Sequence, residues 1–193
     1  MNKMTNYIKV AAAQLSPIFL KKEKTVEKAC KAILEAGKNG ANLIVFPEAF
    51  ISGYPDWVWL IPNSKGADLN ELYLKLVENA VSVPDDSTKK LCEAAKKARV
   101  NIVIGMHERN AETSSASLFN SLLFIDDKGM ILGKHRKLIP TGGERLIWSQ
   151  GDGSTFCSYN TSVGKIAGLI FGDNFMPLAR KAIDGFGYLY VVS

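Results

Sequence analysis

The stretch Lys24-Thr25-Val26-Glu27-Lys28-Ala29-Cys30-Lys31-Ala32-Ile33-Leu34-Glu35-Ala36-Gly37-Lys38-Asn39-Gly40-Ala41-Asn42-Leu43-Ile44-Val45-Phe46 decides the fold. Val26, Ala29, Cys30, Ile33 and Leu34 recur at i, i+3, i+4, i+7 and i+8, which predicts one apolar helix face within residues 24–38. Gly37 and Gly40 stop the pattern. Residues 42–46 then read as a buried strand closed by Pro47-Glu48. A second apolar run lies upstream at residues 8–14. Strand, helix, strand in that order predicts a parallel or mixed sheet covered by helices.

Working outward, residues 53–68 are rich in aromatics, Pro and Gly and read as an ordered loop. Residues 70–82 are expected to be helical. Pro84-Asp85-Asp86-Ser87 has the form of a helix start, with acids at the positive end of the helix dipole. The helix that follows carries Leu91, Cys92, Ala95 and Ala98 on one face, and residues 101–107 form the next strand. Residues 117–125 and 130–136 are two strand patterns joined by the hairpin signal Asp126-Asp127-Lys128-Gly129. Residues 141–154 are polar and Gly-rich. Strand, short helix and strand are then expected at 163–171, 176–183 and 188–192. With no repeat, low-complexity tract or linker, residues 1–193 read as a single α/β domain.

The bulk numbers narrow the function classes. There are 24 Lys+Arg against 19 Asp+Glu, a net charge of +5 spread along the chain in company with acids, and this argues against a nucleic-acid surface. The one dense basic run, Lys134-His135-Arg136-Lys137, reads first as a solvated strand end. The 3 cysteines, Cys30, Cys92 and Cys157, are scattered and form no CxxC pair, so neither a disulfide framework nor a metal site is expected. Cys30 and Cys92 fall on helix faces as buried thiols. The N-terminus carries no signal-peptide core, and no apolar run reaches membrane-spanning length. The expectation is a soluble cytoplasmic protein with no membrane partner.

Three places hold polar residues where a sheet would deliver them to a cleft beyond its strand ends. Glu48 leaves a buried strand and enters a loop lined by Phe50, Tyr54, Trp57 and Trp59, a setting that suits a carboxyl group to acid–base work. Lys137 ends a hairpin strand and could stabilise a developing anion, with Glu144 seven residues on as a carboxylate to hold its ammonium. The segment Gly168-Leu169-Ile170-Phe171-Gly172-Asp173-Asn174 predicts a strand turning sharply into a helix. That is the place where hydrolases expose a nucleophile.

These segments resemble the motifs of the nitrilases, a branch of the carbon–nitrogen hydrolases. Phe46-Pro47-Glu48-Ala49-Phe50-Ile51-Ser52-Gly53-Tyr54-Pro55 is similar to the family's first glutamate motif. Lys134-His135-Arg136-Lys137-Leu138-Ile139-Pro140-Thr141 is similar to its lysine motif, continued by Glu144-Arg145-Leu146-Ile147-Trp148 and Gly151-Asp152-Gly153-Ser154. Gly168-Leu169-Ile170, Asn174 and Met176-Pro177-Leu178-Ala179-Arg180 match the flanks of its cysteine motif. The resemblance covers essentially the whole chain. It implies an α-β-β-α sandwich that pairs sheets across a dimer. It also implies nitrile hydrolysis to a carboxylic acid and ammonia through a cysteine thioimidate, with no metal or organic cofactor. By motif, Glu48 would be the general base, Lys137 would stabilise the tetrahedral intermediate and Glu144 would be the supporting carboxylate. Tyr54, Trp57 and Asn174 are expected to meet a small nitrile substrate, with residues 54–59 as an apolar entrance.

Two departures stand out. The family reads Cys-Trp-Glu where this chain reads Phe171-Gly172-Asp173, so Phe171 occupies the nucleophile position and a phenyl ring cannot add to a nitrile. Neither Cys157 nor Asp173 is expected to replace it. The family also continues beyond the point where this chain ends, at Ser193, so the sandwich is expected to be incomplete at the C-terminus, with an uncovered sheet edge. The chain is then expected to form a homo-oligomer, or a hetero-oligomer with a full-length nitrilase. Weak or absent turnover follows for this chain. The alternatives are a non-catalytic subunit and a fragmentary product of a decayed gene.

Overall fold

A computed structural model describes residues 7–110 and 116–184. Among these residues, five strands form one mixed sheet in the order β1 (Val10–Ala12), β2 (Leu43–Val45), β3 (Asn101–Arg109), β4 (Leu118–Ile125) and β5 (Ile131–Arg136). β1, β2 and β3 run parallel, whereas β3, β4 and β5 run antiparallel. The parallel pair β1–β2 is connected by α1 (Lys22–Lys38), as the opening stretch predicts.

Both faces of the sheet are covered. On one, Val26, Ala29 and Ile33 of α1 and Leu91, Ala94 and Ala95 of α4 (Asp86–Ala98) meet Ile44, Ile102, Ile104 and Leu123. On the other, Leu43, Val103, Leu122 and Phe124 meet Val163, Ile166 and Ile170. The last three come from around a small hairpin, β6 (Tyr159–Thr161) and β7 (Gly164–Ile166). Burial on both faces explains why β2 and β3 read as unbroken apolar runs rather than alternating ones. The α4 start closes as a capping box: the Asp85 carboxylate accepts from Thr88 N at 2.8 Å, and Asp85 N donates to Thr88 Oγ1 at 2.8 Å.

The sequence expectations fail at several described places. Residues 53–68 are not all loop. They hold a short helix, α2 (Trp57–Leu60), and the start of α3 (Gly66–Glu78). α3 ends before Ser82 because Val81 leaves to pair with β3, its N donating to His107 O at 2.8 Å. The strand expected at 163–171 is only β7. Residues 167–170 are buried but lie outside any strand, and a 3-10 turn at Phe171–Phe175 leads into α5 (Pro177–Asp184). The strand expected at 188–192 lies outside the described residues. Cys30 and Cys92 are half-buried rather than fully enclosed.

β3 is long for a reason that bears on function. Its first half pairs with β2. Its second half runs past the end of β2 and pairs singly with Ile51 and Val81. The turn after β2, which carries Glu48, therefore lies directly against β3, with Ile51 N donating to Gly105 O at 3.0 Å.

Candidate active site

Lys137 is the centre of the site. Its side chain is fully buried, and its Nζ donates to Glu48 Oε1 at 3.0 Å and to Glu144 Oε2 at 2.8 Å. Burying an ammonium is costly unless opposite charge and hydrogen bonds surround it, and here two carboxylates do so. The sequence pattern thus brings Glu48, Lys137 and Glu144 together from three separate segments.

Each member is fixed by its backbone setting. Lys137 N donates to Asn120 O at 2.8 Å, which continues the β4–β5 ladder by one residue. Glu144 lies in a 3-10 turn (Gly142–Leu146). Its Oε2 also accepts from Thr141 N at 2.6 Å, and its Oε1 accepts from the Tyr54 hydroxyl at 2.7 Å. Burial together with the bond to Glu144 pushes the Tyr54 phenol well above its ordinary range. Glu48 Oε1 accepts a further hydrogen bond of 2.6 Å from Asn120 Nδ2. The side chain of Glu144 is 3% exposed and that of Glu48 is 20% exposed, so Glu48 is the carboxylate that an incoming molecule can reach.

The basic run is not a solvated strand end. Strand alternation sends its members to opposite faces. Lys134 and Arg136 both bind the buried Glu108; Arg136 Nε lies 2.9 Å from Oε2, and Ser121 Oγ donates to the same oxygen at 2.8 Å. Burial alone would raise the Glu108 pKa, but these donors outweigh it and hold the carboxyl below its usual range. His135 and Lys137 face the other way. His135 Nε2 lies 3.0 Å from Asp173 Oδ2.

Asp173 shapes the turn that carries Phe171. It is fully buried, and besides His135 its carboxylate accepts from Leu138 N at 3.1 Å and Ile170 N at 3.2 Å. The turn is thereby tied to the residue next to Lys137. Phe171 adopts φ 37°, in the left-handed region that side chains other than glycine rarely enter. Its ring is about half-exposed and lies 5.5 Å from Lys137 Nζ, with Phe175 edge-on at 6.3 Å. The sharp turn is present, and it holds a phenyl ring near the Lys137 ammonium.

Tyr54 joins the cluster, whereas Trp57 lines a separate cavity and Asn174 stays within the Phe171 turn. Trp57 is buried against Val58 and Ile147, and it lines a cavity of about 310 Å³ with Leu69 and Tyr73 rather than the space around Lys137. Trp59 rests on Gly142 and Gly143 of the Glu144 turn. Asn174 caps its own turn, its Nδ2 donating to Phe171 O at 3.2 Å. Cys157 lies outside the strands, with its Sγ 3.6 Å from Thr155 O.

Asn120 and His107 also shape the site without standing out in the sequence, and Trp148 and Asp173 do so from within the motifs quoted above. Only the cross-strand register between His107 and Asn120 would have linked any of them. His107 is fully buried, and burial pulls its pKa from 6.5 down to about 4. Between these values the unfolded chain binds a proton that the folded chain refuses. The His107 contribution to stability should therefore be full above about pH 6.5 and be lost as the pH drops toward 4, by up to about 3 kcal/mol. Urea unfolding at pH 7 and pH 4.5 checks this: His107→Gln should shrink the difference between the two midpoints.

A family model described as carbon-nitrogen hydrolase matches residues 9–187. The chain belongs to the carbon–nitrogen hydrolase family. Within it, the relatives are nitrilases. A Bacillus sp. nitrilase is 39% identical over 182 residues, covering 93% of this chain and 51% of the relative. Nitrilase 2 of Arabidopsis thaliana is 40% identical over 181 residues, covering 91% and 51%. This carbon–nitrogen hydrolase chain thus spans about half the length of the curated relatives it matches. Solved structures of the superfamily share its α/β fold. Saccharomyces cerevisiae Nit3, a member of branch 10 of the nitrilase superfamily, superposes with a TM-score of 0.74 at 23% identity, over 95% of this chain and 62% of that one. An amidase from Nesterenkonia sp. superposes with a TM-score of 0.71 at 18% identity, over 96% and 64%. Among the described residues no helix is long and apolar enough to cross a membrane.

Proposed function

We propose that this chain carries the acid–base half of a nitrilase-type reaction on small nitriles, with its nucleophile position blocked. The observation that carries the reading is the fully buried Lys137 ammonium held between Glu48 and Glu144. In the family reaction a thiol adds across the C≡N bond to give a thioimidate. One water then displaces ammonia to leave a thioester, and a second water releases the carboxylic acid. Glu48, the more open carboxylate, would take the proton from the thiol and later from each water. Lys137 would stabilise the charge that develops at the tetrahedral stages, and Glu144 with Tyr54 would hold the ammonium in position. That its relatives are named nitrilases supports nitriles rather than amides as the substrate class.

Phe171 supplies no nucleophile, so the chain should turn over nitriles weakly or not at all. Assembly as a homo-oligomer, or with a full-length nitrilase, belongs to the same proposal. The exposed side chains of Phe175 and Leu178 support it. The test is ammonia release from a panel of aliphatic and aromatic nitriles. The chain as it stands should give none above background. Phe171→Cys, in the same chain and in one extended to the length of its relatives, should give measurable release that Glu48→Gln abolishes. Release by the unaltered chain, or Phe171→Cys activity indifferent to Glu48→Gln, would overturn the reading.

A further inference from the structure

His107 lies outside the Glu48–Lys137–Glu144 cluster yet touches both turns that build it. Its Nε2 is 2.8 Å from Gly53 O, in the turn that carries Glu48 and Tyr54. Its Nδ1 is 2.9 Å from Trp148 Nε1. Trp148 follows the turn that carries Glu144, and its backbone N donates to Glu144 O at 2.8 Å. An indole N–H can only donate, so Nδ1 must accept and the proton must sit on Nε2, facing Gly53 O. The partners therefore select one neutral tautomer. The Trp148 ring also stacks on the imidazole at 5.4 Å and meets Tyr54 edge-on at 5.7 Å.

These contacts close a circuit: Tyr54 to Glu144, along the backbone to Trp148, through the imidazole to Gly53, and back to Tyr54. Asn120, the cross-strand partner of His107, holds Glu48. One point on the sheet thus supports both carboxylates that hold Lys137. We propose that His107 is a positioning residue: its neutral ring sets the separation of the two turns, and with it the placement of Glu48 and Glu144 on Lys137. The site needs a buried group with a donor on one edge and an acceptor on the other. Glutamine can supply both, asparagine is too short to span the gap, and phenylalanine fills the space but leaves Gly53 O and Trp148 Nε1 unsatisfied.

This inference rests on the reading of Glu48 and Lys137 as groups that act on a nucleophile at position 171, and one experiment separates the two. In the Phe171→Cys chain, iodoacetamide alkylation is followed against pH, and the modification of the introduced thiol is read by peptide mass mapping. Glu48→Gln should shift the apparent pKa of that thiol. His107→Phe and His107→Asn should shift it in the same direction by about half a unit or more, and His107→Gln should restore most of the original value. Circular dichroism identifies which variants are folded. Where Phe does not fold, the Asn and Gln pair decides. A Glu48→Gln shift with unshifted His107 variants, or a shift that Gln does not reverse, overturns the positioning role alone. A silent Glu48→Gln overturns the reading of the site and the inference with it.

Discussion

Lys137→Met should lower the unfolding free energy by about 3–5 kcal/mol at pH 7, the range for removing one partner of a buried ion pair. The reason is what stays behind. Glu144 is 3% exposed, and without the ammonium its charge keeps only the Thr141 N–H and the Tyr54 hydroxyl. Glu48 keeps the Asn120 amide. Two like charges would then face one another across a space sized for a lysine. Combining Lys137→Met with Glu144→Gln should recover a large part of the loss, because the uncompensated buried charge is gone. Urea midpoints of the two variants check this. Equal destabilisation in both would mean that packing, not charge, governs the site.

Gly105→Ala should cost at least about 3 kcal/mol, at the upper end for overpacking a core, and should disturb Glu48 directly. A Cβ on Gly105 would meet Pro47 O at 2.2 Å, Ala49 N at 2.6 Å and Glu48 C at 2.8 Å. All three are backbone atoms, so no side chain can swing aside. The turn must lift from β3, and it already holds Ala49 at φ 51° and Ser52 at φ 82°. Thermal unfolding measures the cost. The Phe171→Cys background should also lose its ammonia release in the Gly105→Ala variant, even where folded protein is recovered.

The fold was legible where local pattern and tertiary pairing agree. The α1 stripe, the hairpin at residues 126–129 and the Asp85 cap are all set by neighbours in sequence. It was not legible where a distant partner decides. Val81 looks helical until β3 claims its backbone, and the run at 163–171 looks like a strand, yet β6 offers it only three residues. The same division holds at the site. Glu48, Lys137 and Glu144 stand out because each is polar at a strand or turn boundary. Asn120 and His107 sit inside apolar strands and gain meaning only from register, and Trp57 and Trp59 are indistinguishable until a helix turns one inward and the other onto Gly142.

The turn at Phe171 keeps its left-handed backbone although its own side chain gains nothing evident from it. The shape is imposed from outside, by the Asp173 carboxylate clamped to β5 and to the residue beside Lys137. In engineering terms this is a socket with interchangeable inserts. The fixture and the part it displays are specified by different residues, so a substitution at position 171 should change what the mount presents without rebuilding it.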